Sequence, residues 1–370
     1  MVDLPRSWLT CRNPSAMLWG MQRLVFYGKG GIGKSTVSAN VSAVLAGQGQ
    51  RVLHVGCDPK HDSTVALMAG EMIPTVLDRG LGPGGAAAED LVRVGPSGVH
   101  CVEAGGPQAG VGCAGRGISR TIEILEQAGL LAPGRYDAVI FDLLGDVVCG
   151  GFAAPLRHRV GEKVVIVSSE EVMSLYAANN VARAVVTYAS NGIVCAGILL
   201  NLRDESEDLG PVTRFAELLG TPVLGVIRRD PLIREAEYRR TTVVEHAPDA
   251  PISATFRELA EALQAVDPAA CSLPTPLGDR DFYTLARDKF EVSGGWEREQ
   301  MATVEAAPNV HVPADGSDSV QERQRQEFKR DLKAGIDAVR RGLVRPEEAL
   351  ARLQQSYPDF TRTLQARDLR

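Results

Sequence analysis

The chain has 370 residues, of which 44% are hydrophobic, and its formal net charge is −6. This length accommodates one large α/β domain with an appendage, or two domains. The acidic balance argues against nucleic acid as the main partner, and no stretch approaches the roughly 20 uncharged apolar residues of a membrane span. Residues 1–20 lack the continuous apolar segment of a signal peptide, so we expect an N-terminal extension on a cytoplasmic protein.

Strand and helix signals alternate from residue 21 to about residue 268. The predicted strands are continuously apolar, which is typical of a parallel sheet with helices on both faces. We therefore predict an α/β fold with a doubly wound, mostly parallel sheet, in which polar functional residues follow the carboxyl ends of the strands. The predicted strands cover residues 23–27, 51–55, 136–141, 163–167, 193–200 and 222–227, and the clearest predicted helices cover residues 36–45, 119–127 and 172–188.

The pattern changes after residue 268. Residues 269–318 are rich in Pro, Gly, Ser and Asp and show little periodicity, which predicts an extended or partly ordered linker. Residues 319–370 are predicted to form a helical hairpin, because an amphipathic stripe precedes Pro346-Glu347-Glu348, which is typical of a helix start. This appendage is net basic, and it could either dock on its own domain or bind a partner.

The first strand leads into a phosphate-binding P-loop. Its sequence is Gly28-Lys29-Gly30-Gly31-Ile32-Gly33-Lys34-Ser35-Thr36, which has the form G-x-x-x-x-G-K-[ST] between a strand and a helix. Backbone N–H groups of such a loop face the phosphates, and the helix N-terminus favours their negative charge. Lys34 is predicted to bridge the β- and γ-phosphates and Ser35 to hold Mg²⁺. The second lysine, Lys29, suggests a charge that acts beyond its own site.

Two further elements of a phosphate site follow in sequence order. Asp142 ends the strand at 136–141 and can hold the Mg²⁺ shell through water. Together with Gly145 it forms a D-x-x-G switch, whose glycine N–H can sense the γ-phosphate. Asp58 and Asp62 follow the second strand, where they could position the attacking water or bind Mg²⁺.

Two of the seven cysteines lie in unusual surroundings. An odd number of cysteines argues against a disulfide framework. Cys113 and Cys149 are each surrounded by glycines in predicted exposed loops. An iron–sulfur cubane needs four thiolates, which two chains related by a two-fold axis could supply together. Zn²⁺ bound by the same thiolates is a chemical alternative. Because Cys149 follows Gly145 by only four residues, a γ-phosphate sensor and a cluster ligand would share one loop.

These motifs closely resemble those of the nitrogenase iron protein family, which includes the corresponding components of protochlorophyllide and chlorophyllide reductases. The resemblance is carried by residues 28–36, 56–64, 105–117, 142–153, 174–180 and 239–249. It implies a homodimer with one [4Fe–4S] cluster held by Cys113 and Cys149 of both subunits, and with MgATP or MgADP at each subunit interface. It also implies a larger catalytic metalloenzyme as partner and a ferredoxin or flavodoxin as the upstream electron donor.

The resemblance implies roles for the residues around the phosphates. Lys29 would reach the nucleotide of the neighbouring subunit. The first switch would contain Asp58, Lys60 and Asp62, and the second would contain Asp142 and Asp146. The base that orients the attacking water would be either Asp58 or Asp146.

The resemblance also implies sites outside the phosphate region. The adenine and ribose region would contain Asn201, Arg229, Asp230 and Glu237. Arg116 corresponds to the docking-face arginine that some iron proteins carry as an ADP-ribosylation site.

The motifs do not all resemble the same branch of this family. His61 and residues 149–155 are closer to the tetrapyrrole reductases, whereas residues 174–180 are closer to nitrogenase. Arg228 also stands where nitrogenase iron proteins typically have a proline. This mosaic predicts an ATP-dependent electron donor to a nitrogenase-like enzyme, with methylthio-alkane reductase, which cleaves C–S bonds, as the preferred partner.

Several other functions remain as alternatives. Within the family, these are the reductase components of nitrogenase and of protochlorophyllide or chlorophyllide reductase. From other classes, they are a ParA- or MinD-like positioning ATPase and a carrier that inserts metal clusters into another enzyme.

Overall fold

The computed structural model describes residues 21–79, 87–106, 114–143, 145, 153–204, 208–293, 339 and 344–356. Its centre is an eight-stranded sheet with the strand order β3-β4-β2-β5-β1-β6-β7-β8. The strands are β1 Gln22–Tyr27, β2 Val52–Cys57, β3 Arg93–Val94, β4 His100–Glu103, β5 Ala138–Leu143, β6 Lys163–Ser168, β7 Val194–Asn201 and β8 Val223–Ile227. Neighbouring strands run parallel except for the short edge pair β3–β4. The predicted doubly wound, mostly parallel sheet is confirmed.

Helices connect the strands and cover both faces of the sheet. They are α1 Lys34–Gly47, α2 Val76–Arg79, α3 Ala88–Leu91, α4 Ala114–Gln127, α5 Ala154–Arg157, α6 Val172–Thr187, α7 Gly210–Leu219, α8 Pro231–Tyr238, α9 Val243–His246, α10 Pro251–Gln264 and α11 Asp279–Ser293. A further helix, α12 Pro346–Ser356, follows in the C-terminal part of the chain. None of the helices in the described ranges has the length and apolar character needed to cross a bilayer.

Strand β1 shows why the apolar stretches are continuous. Leu24 and Phe26 belong to one hydrophobic cluster, which includes side chains of α1 and α10. Val25 and Tyr27 belong to a second cluster, which includes side chains of α4, α6, α7 and α11. Because successive side chains of a strand point to opposite faces, a strand covered on both faces must be apolar at every position. The P-loop therefore follows a strand in the middle of the sheet whose last four residues are buried.

Helix α11 is a structured element inside the predicted linker. Residues 279–293 are helical, although the sequence favoured an extended or partly ordered chain over residues 269–318. Phe282 of α11 is buried and makes edge-to-face contacts with Tyr176 and Phe215. Tertiary packing against α6 and α7 therefore stabilises this helix. The prediction of an extended or partly ordered linker was wrong for these residues.

The chain divides into two compact units, Met1–Gly295 and Trp296–Arg370. In the second unit, α12 begins at Pro346 and carries Glu347 and Glu348 in its first turn. Acidic side chains there interact favourably with the helix dipole, and this start coincides with the one expected from the sequence. The first helix of the predicted hairpin lies almost entirely outside the described residues.

Candidate functional site

The P-loop connects the end of β1 to the start of α1. Gly33 directly precedes the helix and has φ of 95°, in the left-handed region where L side chains are strained. A Cβ on Gly33 would also lie 2.5 Å from Nδ2 of Asn201. Both the backbone conformation and the available space therefore require glycine here, which supports the interpretation of this segment as a phosphate loop.

The segment after β7 holds the P-loop backbone from the side. Nδ2 of Asn201 donates to the Ile32 carbonyl at 2.7 Å, and the guanidinium of Arg203 donates to the Gly31 carbonyl. The buried carboxylate of Glu170, which follows β6, accepts from the backbone N–H of Arg203 at 3.0 and 3.1 Å. Glu170 and Arg203 were missed from the sequence. Their positions after adjacent parallel strands are the signal that could have identified them.

Asp142 is the second-last residue of the buried strand β5 and is paired with Phe26 of β1. Its side chain is almost fully buried, and this burial raises the pKa of Asp142. The hydroxyls of Ser35 and Ser63 and the positive charge of Lys34 oppose that rise in pKa. The structure thus brings together Lys34, Ser35 and Asp142, the three residues that the sequence assigned to the β–γ phosphates and Mg²⁺.

The chemistry of Asp142 fits a magnesium site. Within the described ranges its Oδ1 atom is buried and has no hydrogen-bond partner. An unpaired carboxylate oxygen in the interior is costly, whereas Mg²⁺ and its water shell take oxygen ligands such as this one. Ser35, at the exposed start of α1, can supply a second oxygen.

The three predicted residues of the first switch lie in the turn after β2. Oδ1 of Asp58 accepts the backbone N–H of Lys60 at 2.9 Å, whereas the side chains of Lys60 and Asp62 are exposed. Partial burial raises the pKa of Asp58 against the effect of that hydrogen bond, and the negative charge of Asp62 raises it further. The neighbouring residues Ser63 and Thr64 turn inward and are buried.

A chain of buried polar side chains runs from α1 to Asp142. Oγ of Ser42 lies 2.8 Å from Nδ1 of His54, whose Nε2 lies 3.0 Å from Oγ of Ser63. The Ser63 hydroxyl then donates to Oδ2 of Asp142 at 2.5 Å. Sequence reasoning missed Ser42, His54 and Ser63, because their contacts join segments that are distant along the chain.

The structure gives Lys29 a partner within its own chain. Its Nζ atom lies 3.8 Å from Oε2 of Glu171, and both side chains are about half exposed. Among the residues assigned to the adenine and ribose region, Glu237 reaches the P-loop, because its Oε1 accepts from Oγ1 of Thr36 at 3.1 Å. Asp230 instead caps α8 by accepting the N–H of Leu232.

The predicted cluster region is described only in part. Cys113, Cys149 and Asp146 lie outside the described residues. Arg116, on α4, is described and exposed, as a docking residue must be. Gly145 of the D-x-x-G switch accepts a hydrogen bond on its carbonyl oxygen from the Gly28 N–H at 3.2 Å. The P-loop and the segment that leads to Cys149 are therefore in direct contact.

The family model for 4Fe–4S iron–sulfur cluster binding proteins of the NifH/frxC family matches residues 22–292. The chain belongs to this family. The nitrogenase iron protein of Methanospirillum hungatei is 45% identical over 272 residues, covering 72% of this chain and 95% of that protein. The nitrogenase iron protein of Methanococcus voltae is 44% identical over 263 residues, covering 70% of this chain and 94% of that protein.

Solved structures of cell-division ATPases share the fold. MinD of Pyrococcus furiosus superposes with a TM-score of 0.54 at 24% identity, covering 67% of this chain and all of that one. MinD of Pyrococcus horikoshii, complexed with Mg-ADP, has a TM-score of 0.53 at 26% identity and covers 65% of this chain and 95% of that one. These similarities confirm the P-loop α/β fold, whereas the family match distinguishes this chain from the positioning ATPases.

Family membership gives the general activity. The chain is an ATP-hydrolysing electron-transfer component that uses a [4Fe–4S] cluster together with MgATP and MgADP. Members of this family work as homodimers with a nitrogenase-type catalytic component. The predicted family, cofactors and class of activity are confirmed.

Proposed function

We propose that this chain is the reductase component of a nitrogenase-like enzyme other than nitrogenase, with methylthio-alkane reductase as the preferred partner. The hydrogen bond from the Gly28 N–H to the Gly145 carbonyl carries the electron-donor part of this proposal. It joins the phosphate loop to the segment that contains Cys149, so a change at the γ-phosphate can be transmitted to a cluster ligand over a few residues. The mixture of motifs from two branches of the family supports a partner distinct from both.

Each predicted site residue has a role in this proposal. Lys34 holds the β- and γ-phosphates, and Ser35 and Asp142 hold Mg²⁺ with its water shell. Lys29 exchanges its contact with Glu171 for the nucleotide of the partner subunit. Asp58 or Asp146 orients the attacking water, within switches that also contain Lys60 and Asp62.

Other residues would bind the nucleoside, the cluster and the acceptor. Asn201 and Glu237, which touch the P-loop, and Arg229 and Asp230 line the adenine and ribose region. Cys113 and Cys149 of both subunits hold the [4Fe–4S] cluster, which supplies one-electron chemistry, and Arg116 lies on the face that docks on the acceptor. A ferredoxin or flavodoxin reduces the cluster, and the cytoplasm supplies the ATP.

The decisive experiment pairs the reduced protein with candidate catalytic components. Anaerobically purified protein and MgATP are mixed with each component in turn, and the product is measured. Cleavage of a methylthio-alkane C–S bond, dependent on ATP and on this chain, is the expected result. Reduction of dinitrogen or of a chlorophyll precursor, without C–S cleavage, would contradict the preferred partner.

Nitrogenase itself is the second candidate. It is favoured by the names of the relatives that are 40–45% identical. The same experiment distinguishes a nitrogenase iron protein from a methylthio-alkane reductase component, because acetylene or dinitrogen would be reduced only with a nitrogenase catalytic component.

A further inference from the structure

His54 lies in the middle of the series of buried, hydrogen-bonded side chains that ends at Asp142. Its imidazole is fully buried in β2, between Ser42 of α1 and Ser63 of the first switch. Ser63 in turn contacts Asp142 of the second switch. His54 therefore joins helix α1 to Ser63, and Ser63 joins the end of the first switch to Asp142.

The hydrogens in the hydrogen-bonded series Ser42–His54–Ser63–Asp142 can be assigned by counting donors. The 2.5 Å separation between Oγ of Ser63 and Oδ2 of Asp142 is typical of a hydroxyl that donates to a carboxylate. A serine hydroxyl has one hydrogen, so the Ser63 hydroxyl cannot also donate to His54. Nε2 of His54, at 3.0 Å, must therefore carry a hydrogen and donate it to Ser63.

The other side of the imidazole is then an acceptor. A neutral imidazole has one N–H, so Nδ1 of His54 accepts from the Ser42 hydroxyl at 2.8 Å. The Ser38 carbonyl, also at 2.8 Å, competes for that same hydroxyl hydrogen. Burial lowers the pKa of His54 to about 3, so the ring is neutral at physiological pH. It then carries one N–H, which the contacts with Ser63 and Ser42 place on Nε2.

We propose that His54 is a positioning residue for the magnesium site, acting through Ser63. Its Nε2–H orients the Ser63 hydroxyl, which holds Oδ2 of Asp142 and leaves Oδ1 to face the Mg²⁺ water shell. Oδ1 is buried and has no hydrogen-bond partner in the part of the chain that the structure describes, so it is the atom that this arrangement would leave for the magnesium site. This inference rests on the proposed assignment of Asp142 to Mg²⁺.

Three substitutions test this role through the magnesium dependence of ATP hydrolysis. His54→Asn keeps a polar group on the Ser42 side only, whereas His54→Gln can place an amide N–H near the position of Nε2. His54→Asn and Ser63→Ala are expected to raise the half-saturating Mg²⁺ concentration by about tenfold, the lower end of the effects seen for partners of metal ligands. His54→Gln should restore most of the wild-type value.

His100 offers a matched control in the same sheet. Its Nδ1 lies 2.9 Å from the Tyr136 hydroxyl, and it is only partly buried. His100→Gln should leave the Mg²⁺ dependence unchanged. Binding of ATP without Mg²⁺ should also be unchanged in the His54 variants. A wild-type Mg²⁺ dependence in His54→Asn, or equal defects in His54→Asn and His54→Gln, would overturn the proposal.

A measurement on the wild-type protein covers the case in which the variants do not fold. The chain has six histidines, so ¹⁵N-histidine labelling of the MgADP-bound protein gives few imidazole signals, and their chemical shifts report the tautomers. A neutral Nε2–H tautomer for His54 is expected, and a Nδ1–H tautomer would contradict the donor assignment. The tautomer measurement needs only this protein and MgADP, so failure of the proposed partner would leave it interpretable.

Discussion

Glu103 accepts two hydrogen bonds from Thr64 on one carboxylate oxygen. The N–H of Thr64 lies 2.7 Å from Oε1 and its hydroxyl lies 2.8 Å from the same atom. The other oxygen, Oε2, is buried and has no hydrogen-bond partner within the described ranges. Burial raises the pKa of Glu103 to about 8, against the effect of both bonds from Thr64. The end of the first switch is therefore anchored on a carboxyl group that burial favours in its neutral form.

Stability should fall as the pH rises through the range set by Glu103. Between the ordinary pKa of 4.5 and about 8, the folded protein keeps a proton that the unfolded chain has lost. The free energy of unfolding should thus decrease by about 2 kcal/mol between about pH 6 and about pH 8. Glu103→Gln, which keeps an acceptor for Thr64, should flatten this part of the curve of Tm against pH.

The control for that measurement is Glu123→Gln, which alters a half-exposed carboxylate paired with Arg120. Its curve should follow the wild type. Parallel curves for Glu103→Gln and the wild type would show that Glu103 does not retain the proton.

The cluster assignment predicts different outcomes for two cysteines. Cys113→Ala should abolish the [4Fe–4S] cluster, because four thiolates are required and the dimer would retain only two. Cys101→Ala should leave the cluster intact, since Cys101 is a buried thiol of β4 whose Sγ contacts the Val99 carbonyl. Iron content and the electron paramagnetic resonance signal of the dithionite-reduced protein measure both. A normal cluster in Cys113→Ala would contradict the assignment.

Substitutions of Lys29 and of Glu171 should differ greatly in their effect on the rate of ATP hydrolysis. Their ion pair is half exposed, and such pairs contribute little to stability, so Glu171→Gln should change the rate less than about twofold. Lys29→Gln should lower it by at least about a hundredfold, because a cation facing the developing phosphoryl charge is lost. Steady-state hydrolysis with the catalytic partner present tests this. Equal losses in the two variants would mean that the contact within the chain is the functional one.

Asn201 should support nucleotide binding through the P-loop backbone. Asn201→Ala removes its hydrogen bond to the Ile32 carbonyl, which is worth about 1 kcal/mol, so we expect roughly fivefold weaker MgADP binding. Gly33→Ala should be far more harmful, since it strains φ and collides with Asn201. Adding Asn201→Ala to Gly33→Ala should relieve the collision but not the backbone strain. Titration calorimetry would measure all three, and full rescue in the double variant would disprove the backbone argument.

Two adjacent aromatic residues test whether α11 belongs to the folded core. Phe282 is 1% exposed, whereas Tyr283 is 51% exposed and stacks on Tyr176. Phe282→Ala should destabilise the protein by about 3–5 kcal/mol, and Tyr283→Ala by about 1 kcal/mol. Denaturant unfolding would measure both. Equal small effects would indicate that residues 279–293 are a linker and do not pack in the core.

The sequence predicted those parts of the site that depend on local chemistry. The glycine-rich loop, Lys34, Ser35 and Asp142 lie in motifs whose spacing fixes their geometry, and the structure brings them together. The contacts of Ser63 could not be predicted in this way, because its partner Asp142 is 79 residues away in sequence. Glu170 and the loop at 201–204 meet for the same reason, since strand order rather than spacing makes β6 and β7 neighbours.

Helix α11 shows a different limit of sequence reasoning. Phe282, Leu285 and Ala286 have helical spacing and face the core, but this short stripe lies next to a stretch rich in Pro, Gly, Ser and Asp, so the sequence analysis missed it. What fixes the helix is the insertion of Phe282 beside Phe215, a contact that depends on the position of α7.

The placement of β1 has a mechanical consequence. Its two edges are hydrogen-bonded to β5 and β6, so shifting the strand would break two ladders at once. The phosphate loop therefore begins at the end of a strand that is held on both edges. We expect the work of ATP hydrolysis to appear as displacement of the segments that end β2 and β5, measured against a stationary β1.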